Sequence, residues 1–234
     1  MPTAERPLAL VLFGSPGSGK GTQSKLLVEW LQIPQVSTGD MLREHIRLQD
    51  EIGKAISQLM RAGSLVPDEL VNRLVTERIA QPDCSRGFIL DGYPRTLAQA
   101  EQMLAMVAAD EVVIHLVVDY NIIISRMAGR RVCPLCGTLY NNLSRPPKTE
   151  GKCDLDGETL VVREDDREDV VRRRLEQYEQ QTRPLIDFFR NRIDAVGEKK
   201  SNRLIEVDAS RETPEVIFGK IREGLGTVPA GARQ

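Results

Sequence analysis

Residues 14–22 read Gly-Ser-Pro-Gly-Ser-Gly-Lys-Gly-Thr and directly follow the apolar run Leu8-Ala9-Leu10-Val11-Leu12-Phe13. A short buried strand therefore runs into a glycine-rich turn, and a helix follows. Gly14, Gly17 and Gly19 let the backbone curl so that successive N–H groups face an anion. Lys20 adds a positive charge, and the helix start adds its dipole. The pattern is a phosphate cradle of the Walker A type, G-x-x-x-x-G-K. Gly17, Ser18, Gly19, Lys20, Gly21 and Thr22 are its candidate phosphate contacts. The strict motif puts a hydroxyl residue directly after the lysine; here Gly21 intervenes before Thr22. The competing reading is a glycine-rich turn with an incidental lysine. The strand before the turn and the amphipathic helix after it disfavour that.

A second cluster could hold a metal. Of the four cysteines, Cys133, Cys136 and Cys153 fall within 21 residues. Cys133-Pro-Leu-Cys136 and Cys153-Asp-Leu-Asp156 form two pairs separated by 16 residues, and Gly137 and Gly157 follow them. Such glycines are expected in zinc knuckles, whose turns direct a backbone N–H toward sulfur. Tetrahedral zinc accepts a carboxylate in place of one thiolate. Cys133, Cys136, Cys153 and Asp156 thus read as a structural Cys₃Asp zinc site with no position left for a catalytic water. The alternative is three reduced cysteines held by ordinary packing. Cys84 lies far upstream and reads as a free thiol without a role.

The elements that must position these groups alternate between strand and helix. Leu8–Phe13, Gly87–Asp91, Val112–Val118 and Leu204–Asp208 read as buried strands. Helices are expected over about Lys20–Leu31, with Leu26, Leu27, Trp30 and Leu31 on the buried side. Others follow from Ser37 through Leu48, over Glu51–Arg61, from Pro67-Asp68-Glu69, over Thr96–Val107 and over Glu215–Leu225. From Gly129 to Asp166 the periodicity gives way to prolines and short polar turns, a small β-rich insertion. Val171, Leu175, Tyr178, Leu185 and Phe189 then recur at helical spacing, so a long helix bent near Pro184 is expected. Strands alternating with helices argue for a parallel sheet. Residues 227–234 read as a disordered tail.

A chain of 234 residues suits one α/β core with small insertions, and a net charge of −2 gives no general case for nucleic acid or anionic membrane. The N-terminal apolar run is too short for a signal peptide core, and no stretch approaches a membrane span. A soluble cytoplasmic enzyme is the expectation.

Several motifs, in order, resemble the adenylate kinase family in its bacterial long form with a zinc-binding lid. They are Gly14–Thr22, Ser37-Thr38-Gly39-Asp40, Gly63-Ser64-Leu65-Val66-Pro67-Asp68, Asp91-Gly92-Tyr93-Pro94-Arg95 with Gln99, Gly129-Arg130-Arg131 and Arg163-Glu164-Asp165-Asp166. The resemblance covers about residues 7–225. It implies an α/β fold: a five-stranded parallel P-loop sheet flanked by helices, with a helical nucleotide-acceptor insertion and a small β-rich zinc lid. The implied division is a core of 1–36, 67–128 and 167–226, an AMP-binding insertion at 37–66, and the lid at 129–166. The four lid ligands match a known family variant of a four-cysteine site.

The resemblance also implies the reaction ATP + AMP ⇌ 2 ADP with Mg²⁺, in a monomer without nucleic-acid or membrane partners. Lys20, Arg95, Arg130, Arg163 and Arg174 fall on its catalytic positions. Arginine suits these, since its planar fork binds phosphate oxygens in pairs and stays charged. Besides the phosphate loop, Arg126, Arg130, Leu139, Tyr140 and Arg211 fall on the ATP site. Thr38, Arg43, Ser64, Leu65, Val66, Gly92, Tyr93, Pro94, Arg95, Gln99, Arg163 and Arg174 fall on the AMP site. Thr38 and Gln99 are expected at the base, and a Gln amide offers adenine both a donor and an acceptor. Asp91, at a strand's carboxyl end, is expected to orient Mg²⁺ through water; Asp119 is read as structural. The rivals are another nucleoside monophosphate kinase, such as one using GTP as donor, and a P-loop ATPase whose zinc ribbon binds nucleic acid. The second lacks the aromatic and basic pattern such binding needs.

Overall fold

The apolar run Leu8–Phe13 forms the central strand, β1, and its alternate residues fill two different cores. Ala9, Val11 and Phe13 enter one, Leu10 and Leu12 the other. A strand covered on both faces must be apolar throughout, which is why the run carries no polar residue.

The structure is a computed structural model that describes residues 7–107, 110–196 and 203–226. After β1 come α1 (Lys20–Leu31), β2 (Gln35–Ser37), α2 (Thr38–Leu48), α3 (Glu51–Ala62), α4 (Asp68–Ile79), β3 (Gly87–Asp91), α5 (Leu97–Met106) and β4 (Asp110–Val117). Next are α6 (Tyr120–Gly129), β5 (Arg130–Val132), β6 (Leu139–Asn141), α7 (Glu168–Gln177), α8 (Pro184–Val196), β7 (Arg203–Asp208) and α9 (Pro214–Leu225). The main sheet is five-stranded and parallel, in the order β2-β3-β1-β4-β7. The chain winds from β1 to β2 and β3 on one side, then crosses to β4 and β7 on the other. That reversal opens a crevice at the carboxyl ends of β1 and β3, the place where open α/β sheets bind ligands. α1 and α9 supply residues to the core on one face; α2 to α5 and α8 supply the other.

Three features differ from the sequence reading. β2 went unread, because three residues with Val36 alone buried carry no periodicity. The buried stripe of α1 is Gln23, Ser24, Leu27 and Leu31, with Leu26 and Trp30 only half-buried. Gln23 earns its place by donating to the Pro214 carbonyl at 3.0 Å. The long helix expected to bend at Pro184 is interrupted earlier, by a π-helical turn over Tyr178–Thr182 in which the Arg183 N–H donates to the Tyr178 carbonyl at 2.8 Å. Proline has no N–H to continue the α ladder, so the disturbance falls on the turn before it.

Helix ends follow local chemistry. Ser37, Asp50 and Thr96 cap α2, α3 and α5 by accepting from the N–H groups of Asp40, Gly53 and Gln99. α1 begins at Lys20, and Gly19 gives it no side-chain cap; the Thr22 N–H turns back to the Gly19 carbonyl at 3.0 Å, which leaves the first amides of the helix, Lys20 and Gly21, for another acceptor. In the insertion, β5 and β6 pair antiparallel around a small cluster of Cys133, Tyr140, Cys153 and Leu160. No described helix is long and apolar enough to cross a membrane. The expected tail at 227–234 lies outside the described residues.

Candidate active site

The phosphate loop joins β1 to α1 at the crevice. Gly14, Gly17 and Gly19 all have positive φ, at 147°, 81° and 98°. At Gly14 a Cβ would also sit 2.5 Å from the Ser18 Oγ and 2.8 Å from the Leu116 carbonyl, so both space and backbone exclude a side chain. Lys20 Nζ donates to the carbonyls of Gly14 at 2.6 Å and Ser15 at 2.9 Å, which folds the ammonium over the loop. Burial is the main force lowering the Lys20 pKa to about 8; Asp91 acts the other way, and Arg95, Arg174 and Arg130 add to the lowering.

Asp91 ends β3 beside the loop, 3.8 Å from where a Cβ on Gly21 would lie. Gln35, on the unread β2, donates to its Oδ2 at 2.9 Å. Burial raises the Asp91 pKa, against the pull of Lys20. A buried carboxylate next to the phosphate loop is a hard oxygen donor, and so fits a Mg²⁺ held through water.

Around this pair converge the arginines. Burial is the main force lowering Arg95 to about 10, with Arg174 next; burial, then Arg43, lowers Arg163 to about 10. Arg174, from α7, donates to Asp165 Oδ2 at 2.8 Å, and Arg43 lies 3.9 Å from the same carboxylate. Arg43 is also tied to Asp40 at 2.5 Å. Arg130 grips buried Asp166 with both sides of its fork, Nε to Oδ2 at 2.6 Å. Asp165 and Asp166 belong to a motif noted in the sequence, but no role was read for them. Their signal was the pair of carboxylates following Arg163.

A cleft enclosing about 580 Å³, solvent at its mouth included, opens next to these groups. Thr38, Arg43, Ser64, Leu65 and Val66 line it, as do Gly92, Arg95, Gln99 and Arg174. Met60 and Leu42 line it too and escaped the sequence reading, being indistinguishable there from core residues. Of the other residues expected there, Tyr93 and Pro94 are buried behind the cleft, and Arg163 is not among its lining. Thr38 Oγ1 donates to the Gly92 carbonyl at 2.8 Å.

The remaining expected contacts lie elsewhere. Arg126 donates to the carbonyls of Ala209 and Ser210, so it fastens α6 to the loop after β7. Arg211, in that same loop, is exposed. Leu139 is half-buried, and Tyr140 points into the insertion's core, where its hydroxyl accepts from the Asp154 N–H at 2.8 Å and lies 3.5 Å from Cys153 Sγ.

The ligand atoms of Cys133, Cys136, Cys153 and Asp156 all lie within 4.8 Å of one another. Cys136 and Cys153 sulfurs are 3.6 Å apart, and Cys133 Sγ is 3.3 Å from Asp156 Oδ2. Tetrahedral zinc with Zn–S bonds of about 2.3 Å needs sulfurs roughly 3.8 Å apart, so the donor set fits zinc. A backbone N–H does face sulfur in this turn: that of Cys136 lies 3.4 Å from Cys133 Sγ, while the Gly137 and Gly157 N–H groups donate to the carbonyls of Cys133 and Cys153. The glycines are needed because φ there is 72° and 73°. Cys84 is buried against Arg78, whose NH1 lies 3.1 Å from its sulfur.

Positive side chains outnumber carboxylates around the crevice, and a glycine-rich loop at the switch point of a parallel sheet is how one class of proteins cradles nucleotide phosphates. The fold and site define a P-loop phosphotransferase. A family model described as adenylate kinase matches residues 12–194. The adenylate kinase of Thermosipho melanesiensis is 45% identical over 212 residues, covering 89% of this chain and 95% of that protein. That of Sodalis glossinidius is 47% identical over 209 residues, covering 89% and 96%, and that of Caldicellulosiruptor saccharolyticus 46% over 201 residues, covering 82% and 93%. The chain belongs to the adenylate kinase family, enzymes of the nucleoside monophosphate kinase class.

Proposed function

We propose that this chain catalyses reversible, Mg²⁺-dependent transfer of a phosphoryl group between ATP and AMP, giving two ADP. The observation that carries the reading is the meeting of two anion sites. Lys20 of the phosphate loop feels the charges of Asp91, Arg95, Arg174 and Arg130, and Arg95 and Arg174 also line the cleft beside Arg43. Phosphoryl transfer asks little covalent chemistry of side chains. It asks for alignment of two polyanions, charge neutralisation and exclusion of water.

In this reading the loop amides of Gly17–Thr22 and Lys20 hold the donor phosphates. Arg43 and Arg95 hold the acceptor phosphate. Arg130, Arg163 and Arg174 gather on the group in flight, where charge spreads over its equatorial oxygens. Thr38 and Gln99 face the acceptor base, with Ser64, Leu65 and Val66 beside it. Asp91 orients Mg²⁺ through water, and Mg²⁺ when bound neutralises charge across the donor's terminal phosphates. The segment 129–166 serves as a lid that carries Arg130 and Arg163 over the site and sheds water. Zinc on Cys133, Cys136, Cys153 and Asp156 supplies folding energy that so small a segment lacks. The division into core, acceptor insertion and lid, and a monomeric state, belong to the same proposal.

A coupled assay with ATP and each of AMP, GMP, CMP and UMP tests it, repeated with GTP in place of ATP. Turnover with AMP at least about a hundredfold above the other acceptors is expected. Comparable rates with all four would overturn the acceptor assignment, and GTP outperforming ATP would overturn the donor.

A further inference from the structure

Gln99 is 2% exposed, and its carboxamide is held at both ends. Its Oε1 accepts from the backbone N–H of Arg95 at 2.8 Å, and its Nε2 donates to Asp68 Oδ1 at 2.7 Å. The other oxygen of Asp68 accepts from Thr96 Oγ1, also at 2.7 Å, and Thr96 caps the helix on which Gln99 sits. Asp68 is the first residue of α4 and is not itself part of the cleft lining, whereas Gln99 is.

The chemistry of the two partners fixes the direction of the amide. A backbone N–H only donates and a carboxylate only accepts. Turning the amide over would set NH₂ against N–H and carbonyl oxygen against carboxylate, losing two hydrogen bonds and gaining two repulsions. One N–H and one oxygen lone pair remain for a ligand in the cleft, in a fixed left-to-right order. A purine reads that order. Adenine presents an acceptor at N1 next to a donor at N6; hypoxanthine, in the same pose, presents a donor next to an acceptor.

We propose that Asp68 is a positioning residue for acceptor-base choice: it locks the polarity of the Gln99 amide, so that the cleft accepts a 6-amino purine monophosphate and rejects a 6-oxo one. This rests on the reading of the cleft as the acceptor-base site. Asp68 touches no substrate and acts through Gln99.

The test compares full-length Asp68→Ala, Asp68→Ser, Asp68→Asn, Thr96→Val and Gln99→Ala, with kcat/KM for AMP and for IMP, KM for ATP, and Tm. Losing the lock removes one of two hydrogen bonds that orient the amide. Asp68→Ala and Asp68→Ser should therefore raise KM for AMP and lower the AMP-over-IMP ratio by about tenfold, with KM for ATP unchanged. Asp68→Asn keeps a carbonyl acceptor for Gln99 and should hold the ratio within about threefold. Thr96→Val removes the helix cap and the second Asp68 contact; it should lower Tm yet leave the ratio alone. Gln99→Ala should collapse the ratio. If Gln99→Ala collapses it and neither Asp68→Ala nor Asp68→Ser changes it, the role of Asp68 is overturned while the acceptor site stands. A parallel fall of the ratio in Thr96→Val would make Asp68 merely structural. An unchanged ratio in Gln99→Ala would overturn the base reading, and this inference with it.

Discussion

At the scale of single residues, the site concentrates positive charge that burial makes costly. Lys20 is pushed down to about 8 and Arg95 to about 10, burial being the first cause in each. A lysine with that value is charged below pH 8 and loses its proton as pH rises through it. The kcat/KM for ATP should therefore fall along an alkaline limb near pH 8. In kcat the limb should move upward, since bound phosphates favour the charged form. Lys20→Arg should abolish the limb in both, because a guanidinium does not titrate there. A profile for the unaltered enzyme that stays flat from pH 7 to 9.5 would show that Lys20 does not carry this role. Removing the charge outright is more severe. Lys20→Ala and Arg95→Ala should each cut turnover by about 10³-fold with an intact circular dichroism spectrum, the size typical of one cation acting on developing phosphate charge. A loss under tenfold would mean that the cation acts elsewhere.

At the scale of elements, what holds the cleft's far wall is the close approach of α2 and α3. Gly53 is buried inside α3, and a Cβ there would come 2.0 Å from the His45 carbonyl oxygen. Alanine is ordinarily the better helix former by about 0.5–1 kcal/mol, but this contact reverses the sign. Gly53→Ala must part the two helices, at a cost of about 1–3 kcal/mol. The melting temperature should drop by several degrees, and KM for AMP should rise more than KM for ATP, since α2 carries Thr38 and Arg43 while the phosphate loop joins β1 to α1 and has no part in the α2–α3 contact. Equal changes in both would show that the clash is absorbed without moving the cleft. The π-helical turn acts at the same scale. Its Thr182 donates to the Arg95 carbonyl at 2.9 Å, so the irregular helix anchors the turn that bears Arg95.

Across the whole molecule, the insertion between α6 and α7 has a cluster of only Cys133, Tyr140, Cys153 and Leu160 to bury, too little to fold on its own. If zinc binds Cys133, Cys136, Cys153 and Asp156, its binding energy is folding energy. Elemental analysis should then find one zinc per chain. A chelator should lower the melting temperature while activity in the cold falls less, since Lys20 and Arg95 lie outside the insertion. Asp156→Cys should retain the metal, as a thiolate is at least as good a ligand. Cys133→Ser with zinc content and melting temperature both unaltered would leave hydrogen bonds and packing as all that holds the segment.

The sequence by itself determined whatever rests on local rules. The phosphate loop is legible because glycine at positive φ, a lysine and a helix start are contiguous, and Cys133, Cys136, Cys153 and Asp156 of the clustered Cys₃Asp set sit in two tight pairs. The buried strand β1 announces itself as an unbroken apolar run, and β3 and β4 as nearly continuous ones that end in Asp91 or carry His115, since a parallel strand is covered on both faces. Tertiary structure decided the rest, because those interactions join residues that no local pattern links. Gln35 meets Asp91 only because β2 pairs with β3, and Gln99 meets Asp68 only because α5 lies against α4. Arg126, one arginine among many in the sequence, turned out to fasten backbone, while Asp165 stood among the site's cations. An isolated arginine looks the same wherever it ends; which carbonyl or carboxylate it meets is fixed by how the helices pack on the sheet.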